Sequence, residues 1–352
     1  MKLGINTRNE VRATLRACTL SKEVTMKKVL LLLLVVLASA PLFAAGEQEQ
    51  EPLVWVWYPN ESTPEFADSR AALIEVAEEA LGVEIEEQLT TDYAIAIEAL
   101  VNDNAVFSWF GGEGYVQAHD RNAAIQPLVT NSGSSGTLDD AKYYSMLGTL
   151  VENEDMFQVD GEFNLDTLEQ KKFSFVSNSS TSGFRVPSSV ISNNFNVDAE
   201  DLLEGGEEFV FAEVMFGGSH QGSFFNVLDG RADAGAFCNA CVDAYVEWEG
   251  SFADPVPGDI IRVIENAEAP FDTMAGKEVV FIETVPVLNA PLVVNTDLLT
   301  DEQLDAVTAA FTSDATTNNT RIFGDEGFFR EGQRFLSVED SWYDPIRRLA
   351  GN

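Results

Sequence analysis

The chain has 352 residues, with 21 Lys+Arg against 58 Asp+Glu and a formal net charge of −37. Hydrophobic residues make up 45%, enough to bury one large domain or two lobes, so the chain is not a disordered acidic tail. The acidity argues against a nucleic-acid partner, whose phosphates need a basic stripe, and against docking on anionic lipid.

Met26-Lys27-Lys28 precedes an unbroken apolar run from Val29 to Leu37, followed by Ala38-Ser39-Ala40-Pro41-Leu42-Phe43-Ala44-Ala45. A charged start, a short apolar stretch and small residues at the cut read as a secretory signal peptide over 26–44, cleaved after Ala44 or Ala45. The apolar stretch is too short for a stable membrane span. Residues 1–25 have no such run, and Met26 reads as the initiator, with 1–25 a misassigned extension. Cleavage after Ala44 leaves 14 basic and 56 acidic residues, or −42 over 308 residues. Such a charge suits a secreted protein in salty surroundings, where screening lengths are short. Cys18 goes with the leader. Cys238 and Cys241 remain, and in an oxidising compartment they read as a small-loop disulfide, with a thioredoxin-type redox pair as the alternative that the flanks Ala236-Phe237 and Val242-Asp243 match weakly. A structural zinc site is not expected, since His119 and His220 are the only histidines.

Along the mature chain, Leu53–Trp57 reads as a buried strand, running into the loop Pro59-Asn60-Glu61-Ser62-Thr63-Pro64. Helical spacing covers Phe66–Leu81, with Gly82 as its stop. Val83–Glu86 alternates like a strand. Thr90-Thr91-Asp92 caps a helix from Tyr93 to Val101. Ala105–Phe110 reads as a third strand, and a helix follows over 114–122. Alternation of strand and helix predicts a parallel α/β sheet. Residues 130–140, rich in Ser, Gly, Asn and Thr, read as a loop or hinge. Further strands are expected over 143–151, 173–176, 209–215, 232–237, 279–282 and 292–294. Helices are expected near Arg185 or Pro187, through 224–228, and over 300–311, where Asp301, Glu302 and Asp305 suit the helix dipole.

Two strand ends carry chemistry. Ser180-Thr181-Ser182-Gly183 offers three hydroxyls, and a Gly that lets backbone approach, at a strand-to-helix junction. Free N–H groups of a helix start there make an anion site without any Lys. The same residues alone serve equally as an ordinary N-cap. Gly217-Gly218-Ser219-His220 is a second Gly-rich strand end, and its His can donate to an oxyanion. His119, beside Asp120-Arg121, reads as an exposed mid-helix residue.

Ser180-Thr181-Ser182-Gly183 with Val186-Pro187, Gly218-Ser219-His220 and Val227 to Ala236 together resemble the phosphate/phosphite/phosphonate-binding proteins of ABC importers. Thr91-Asp92-Tyr93-Ala94, Phe110-Gly111-Gly112 to Ala118, Ile125 to Leu128, Tyr143-Tyr144-Ser145 and Tyr343 to Arg347 match in the same order, over about residues 53–348. The resemblance implies a two-lobed, type II periplasmic binding-protein fold, each lobe a mixed sheet flanked by helices, with ligand in the cleft between them. It places lobe one over 52–140 and 285–352, and lobe two over 141–284. It implies ligand contacts from Ser180, Thr181, Ser182, His220, Tyr93 and Tyr143, with Gly183, Asp92, Trp57 and Tyr58 as further candidates. It implies no catalytic residue, cofactor or metal, and a monomer serving an ABC permease in the inner membrane, without nucleic acid. Family members that take aminophosphonates face the ammonium group with two carboxylates. Ala240 and Ala290 stand at those positions here, with Asp243 near enough to substitute for the first. This favours phosphate, phosphite or a simple phosphonate over an amine-bearing ligand.

Three alternatives stay open on sequence grounds. A hydrolase would use a Ser, His220 and a carboxylate, but no Gly-x-Ser-x-Gly elbow or Ser-x-x-Lys is present. The same fold feeding a membrane sensor would look identical. An organic ligand would use aromatic residues among Trp55, Trp57, Tyr58, Phe110 and Phe184, of which Trp55 and Phe110 read as core.

Overall fold

The computed structural model describes residues 52–324 and 327–349. The signal peptide expected over 26–44 and the extension over 1–25 lie outside the described residues. Among the described residues, no helix is long and apolar enough to cross a membrane.

The chain opens with β1 (Leu53–Trp57), α1 (Ala67–Leu81), β2 (Ile85–Leu89), α2 (Tyr93–Val101), β3 (Phe107–Trp109), α3 (Gly112–Arg121) and β4 (Ile125–Asn131). It then crosses over to β5 (Lys142–Leu150), a small β6–β7 hairpin (Gln158–Val159 and Glu162–Phe163), β8 (Lys172–Phe175), α4 (Val186–Phe195), β9 (Glu213–Phe216) and α5 (His220–Leu228). There follow β10 (Ala234–Cys238), α6 (Asn239–Val242), β11 (Val246–Glu249), β12 (Ile260–Val263) and the long β13 (Glu278–Leu288). The chain returns through β14 (Pro291–Asn295), α7 (Asp301–Phe311), α8 (Asp314–Thr317), β15 (Phe335–Ser337) and α9 (Asp344–Leu349).

Two mixed sheets result. The first has the order β15-β4-β14-β3-β1-β2, and the second β11-β12-β13-β5-β10-β8-β9. In the first, β1 runs parallel to β2 and β3, while β14 is antiparallel to β3 and β4. In the second, β8 is parallel to β9 and β10, and the remaining pairs are antiparallel. The parallel sheet expected from the strand–helix alternation is therefore confined to part of each sheet. β1 shows the two-residue period at work. Trp55 and Trp57 go to one face, with Phe107, Phe311 and Phe335. Val56 and Tyr58 go to the other, with Tyr93, Phe110, Tyr115 and Tyr343.

Several sequence expectations move. The second strand begins at Ile85, pairing with Leu53, and runs to Leu89; as an exposed edge it has no apolar face to mark it. The strand expected over 209–215 starts only at Glu213 and runs to Phe216, while Phe211 turns in to fill the core. β4 was hidden by Pro127. Its pairing with β14 jumps from Val129 to Pro127, so a bulge accommodates the residue that cannot donate. β13 pairs with β5 through Leu288, so the crossover expected between 284 and 285 falls inside that strand. The two passages between the sheets are tied together by Asn289, whose N donates to Ala141 O at 3.1 Å and whose Nδ2 donates to Asn131 O at 2.8 Å.

Candidate functional site

The parallel strands of both sheets aim their C-terminal ends at one place, the usual location of ligands in open α/β sheets. After β8 the chain enters a π-helical turn over Thr181–Arg185 before α4 begins. Ser180 caps it, its Oγ accepting from Gly183 N at 3.1 Å, and Arg185 N donates back to Ser180 O at 2.9 Å. π-Turns of this kind recur at functional sites. Ser180, Thr181 and Ser182 are all buried. After β9, Gly217 and Gly218 turn the chain into α5, with Gly218 at φ +74°. A Cβ on Gly217 would stand 2.1 Å from Ser223 N, so no other residue lets the helix start so close to the strand end. Ser219 caps α5 through Gly222 N at 2.9 Å.

These two turns meet. Ser180 Oγ lies 3.3 Å from His220 Nε2, and both side chains are buried. Burial alone pushes the His220 imidazole down from its ordinary value to about 3, so it is neutral across the physiological range, and its Nδ1 is buried without a partner. From the first sheet, Asn60 Nδ2 donates to Tyr93 OH at 2.5 Å, and Asn60 Oδ1 accepts from His220 N at 2.9 Å. Gln221 Nε2 adds a bond to Asn60 O at 3.3 Å. Burial holds the Tyr93 phenol well above the usual range, and the Ser180 side chain draws it partly back. Tyr143, at the start of β5, is half-buried beside Thr181 and Ser182; burial pushes its phenol up to about 12, while those two hydroxyls hold it back. Tyr58 packs tilted against Tyr93 and stacks on Phe110, at centroid distances of 4.1 and 4.6 Å, and its hydroxyl is buried without a partner.

A further set of bonds joins the two sheets' elements beside this group. Glu113 N, at the start of α3, donates to Thr181 Oγ1 at 2.8 Å. Glu113 Oε1 accepts from Arg185 Nη2 at 2.7 Å, and Ser179 Oγ donates to Gln117 Oε1 at 2.8 Å. Gly111 makes room, since a Cβ there would lie 2.6 Å from Thr181 Oγ1.

Of the sequence-expected residues, Ser180, Thr181, Ser182, Gly183, His220, Tyr93, Tyr143 and Tyr58 are brought together. Trp57 is not: it stacks on Trp55 at 4.9 Å inside the first sheet's core, on the opposite face from Tyr58. Asp92 is exposed and caps α2 through Ala94 N at 2.7 Å. His119 is half-buried rather than exposed, with Nδ1 2.8 Å from Ile125 O.

Residues 55–343 match the sequence profile of one family, described as the phosphonate periplasmic substrate-binding protein of ABC transporters. The chain belongs to that family. A curated relative, the phosphate-import protein PhnD of Mycolicibacterium smegmatis, is 26% identical over 321 residues, covering 88% of each chain. Two solved structures share the fold. One is a binding-protein component of an ABC phosphonate transporter from Pseudomonas aeruginosa, with TM-score 0.63, 19% identity and 86% of each chain covered. The other is PhnD1 of Prochlorococcus marinus in complex with methylphosphonate, with TM-score 0.62 and 17% identity, covering 85% of this chain and 97% of that one. The chain is thus a substrate-binding component of an ABC transporter, with the two-lobed fold of that family.

The departures from the family pattern have structural counterparts. Ala240 is exposed on α6, and Ala290 packs against the core of the first sheet. Asp243 accepts from Trp248 Nε1 at 2.8 Å and pairs with Arg330, so it is not free to face an ammonium group. Cys238 and Cys241 are disulfide-bonded, as their spacing suggested. Their sulfurs and a His220 ring nitrogen lie within 4.8 Å of one another, so the disulfide borders the His side of the site. Asn60, Glu113 and Arg185 were missed by the sequence reading. The position of Asn60 just after the first strand was the one available signal.

Proposed function

We propose that this protein captures a phosphorus oxyanion (phosphate, phosphite or a simple phosphonate) between its two lobes and delivers it to an ABC permease. Its ligand is held by the hydroxyls of Ser180, Thr181 and Ser182, the backbone N–H groups of Thr181 and Ser182 within the turn, and the imidazole of His220. Tyr93 and Tyr143 close on it. The observation that carries this reading is the convergence of two helix-start turns, Ser180 and His220 being 3.3 Å apart, with Asn60 tying Tyr93 of the first sheet to His220.

No cation is needed. Arg185, the guanidinium beside the Ser180–Gly183 turn, is already paired with Glu113, and neutral donors with helix dipoles suffice for an oxyanion. The phosphate named for the relative and the methylphosphonate of the solved complex support the ligand class. The lobes close by a hinge at the passages joined by Asn289. Binding uses no catalytic base, so the protein is a carrier rather than an enzyme. It works as a monomer in the periplasm after loss of residues 26–44.

His220→Ala should weaken oxyanion affinity by about 1.5–3 kcal/mol, the range for a hydrogen bond to a charged partner. Calorimetric titration reads this directly, and an unchanged affinity would remove His220 from the site.

A further inference from the structure

Glu61 takes no part in the capture described above, yet the fold buries its carboxyl among the residues that perform it. It follows Asn60, the residue that ties Tyr93 to His220. Its Oε2 is buried without a hydrogen-bond partner. The carboxyl is close enough to raise the phenols of Tyr58, Tyr93 and Tyr143 by its charge. Arg70 does not neutralise it by direct pairing: Nη1 donates to the Glu61 carbonyl at 2.5 Å, and Nε is taken by Glu87 at 2.6 Å.

The neighbours fix how this group can titrate. Tyr58 at the end of β1, Tyr93 on α2 and Tyr143 on β5 all have raised phenols, which stay neutral below about pH 10. His220 on α5 is neutral above about 3. Glu113 on α3 is paired with Arg185, and Glu65, in the same loop, faces Tyr245, whose phenol is also raised. Burial pushes the Glu61 carboxyl up to about 8. Glu61 thus changes charge between neutral and moderately alkaline pH, where the raised phenols and His220 stay neutral.

Resting on the oxyanion reading, we propose that Glu61 shares a single proton with the bound anion. As an acid it donates to a dianion; as a carboxylate it accepts from a protonated ligand oxygen. Either form makes a charge-assisted hydrogen bond, whereas a bare carboxylate against a dianion only repels it. The site then takes up the anion together with one proton from solvent whenever the free protein has lost it. This makes Glu61 a specificity-determining residue that reads the protonation state of the anion–site pair.

The test is isothermal titration calorimetry with inorganic phosphate and with methylphosphonate from about pH 7 to about pH 10. In the wild-type protein Kd should rise about tenfold per pH unit above about pH 8–9, the slope for one linked proton. Repeating the titration at about pH 9 in buffers of different ionisation heat should read about one proton taken up per anion bound. Glu61→Gln, whose amide donates at every pH, should hold Kd within about threefold over the same range. Binding without proton uptake in the wild type, or a Glu61→Gln slope equal to the wild-type slope, overturns this inference alone. No binding of these two anions or of phosphite at neutral pH overturns the oxyanion reading and this inference with it.

Discussion

His220 and Glu61 flank one hydrogen-bonding hub, Asn60, the first bonded to it and the second next to it in the chain, and burial moves both toward the neutral form, with opposite consequences for stability. The folded imidazole lies below its ordinary value, so its contribution is present above that value and is lost as pH falls toward 3. The folded Glu61 carboxyl lies above its ordinary 4.5, so its contribution is full below 4.5 and is lost as pH rises through 8. Glu61→Gln should therefore leave the melting temperature unchanged near pH 4.5 and raise it at about pH 8–9, by about 2–4 °C for each kcal/mol relieved. Thermal denaturation at the two pH values checks the sign; a destabilised Glu61→Gln protein at high pH would mean the carboxylate is the form the fold favours. The Ser-Thr-Ser-Gly run and His220 were legible in the sequence because hydroxyls and Gly at strand ends have a local reason to be there. Asn60 was not, because its importance lies in reaching Tyr93 and His220, two residues far away in the chain.

The turns do the positioning. Gly217→Ala would place a methyl 2.1 Å from Ser223 N, and the backbone shift should cost at least about 1–3 kcal/mol of stability and displace His220. Between elements, Glu113 on α3 is buried against Arg185 in the turn before α4. Removing one partner of a buried pair costs about 3–5 kcal/mol because the other charge stays uncompensated. Arg185→Met should thus lower ligand affinity by opposing closure, and Glu113→Gln in the same chain should restore most of it. Equal affinities for the single and double variants, read by calorimetry, would separate this pair from closure. Elements with an apolar period, such as β1, α1 and α7, could be read from the chain. β4 escaped because Pro127 breaks the strand signal that its bulge tolerates. β11 and β12 escaped because each is only four residues long, too short for a period to stand out in the sequence.

At the scale of the molecule, acidic residues far outnumber the basic residues that could pair with them, and the excess repels itself. Raising salt from about 0.01 M to about 1 M shortens the screening length from about 30 Å to about 3 Å, so the melting temperature should climb with salt. A melting temperature that is flat or falls would show the charge to be spaced without cost. The same charge does not bar an anion from the cleft, where short-range donors act. The two-lobed architecture was legible only through motifs in order along the chain, since strand alternation alone pointed to a parallel sheet and not to two mixed ones joined by β4–β5 and β13–β14. The central claim is the ligand class, and the direct measurement is a thermal-shift titration of residues 45–352 with phosphate, phosphite, methylphosphonate, 2-aminoethylphosphonate and sulfate. A ligand at about a hundred times its dissociation constant adds about 2.7 kcal/mol. At least one of the first three should raise the melting temperature while sulfate does not; no shift with any phosphorus oxyanion would mean that the protein takes a different ligand.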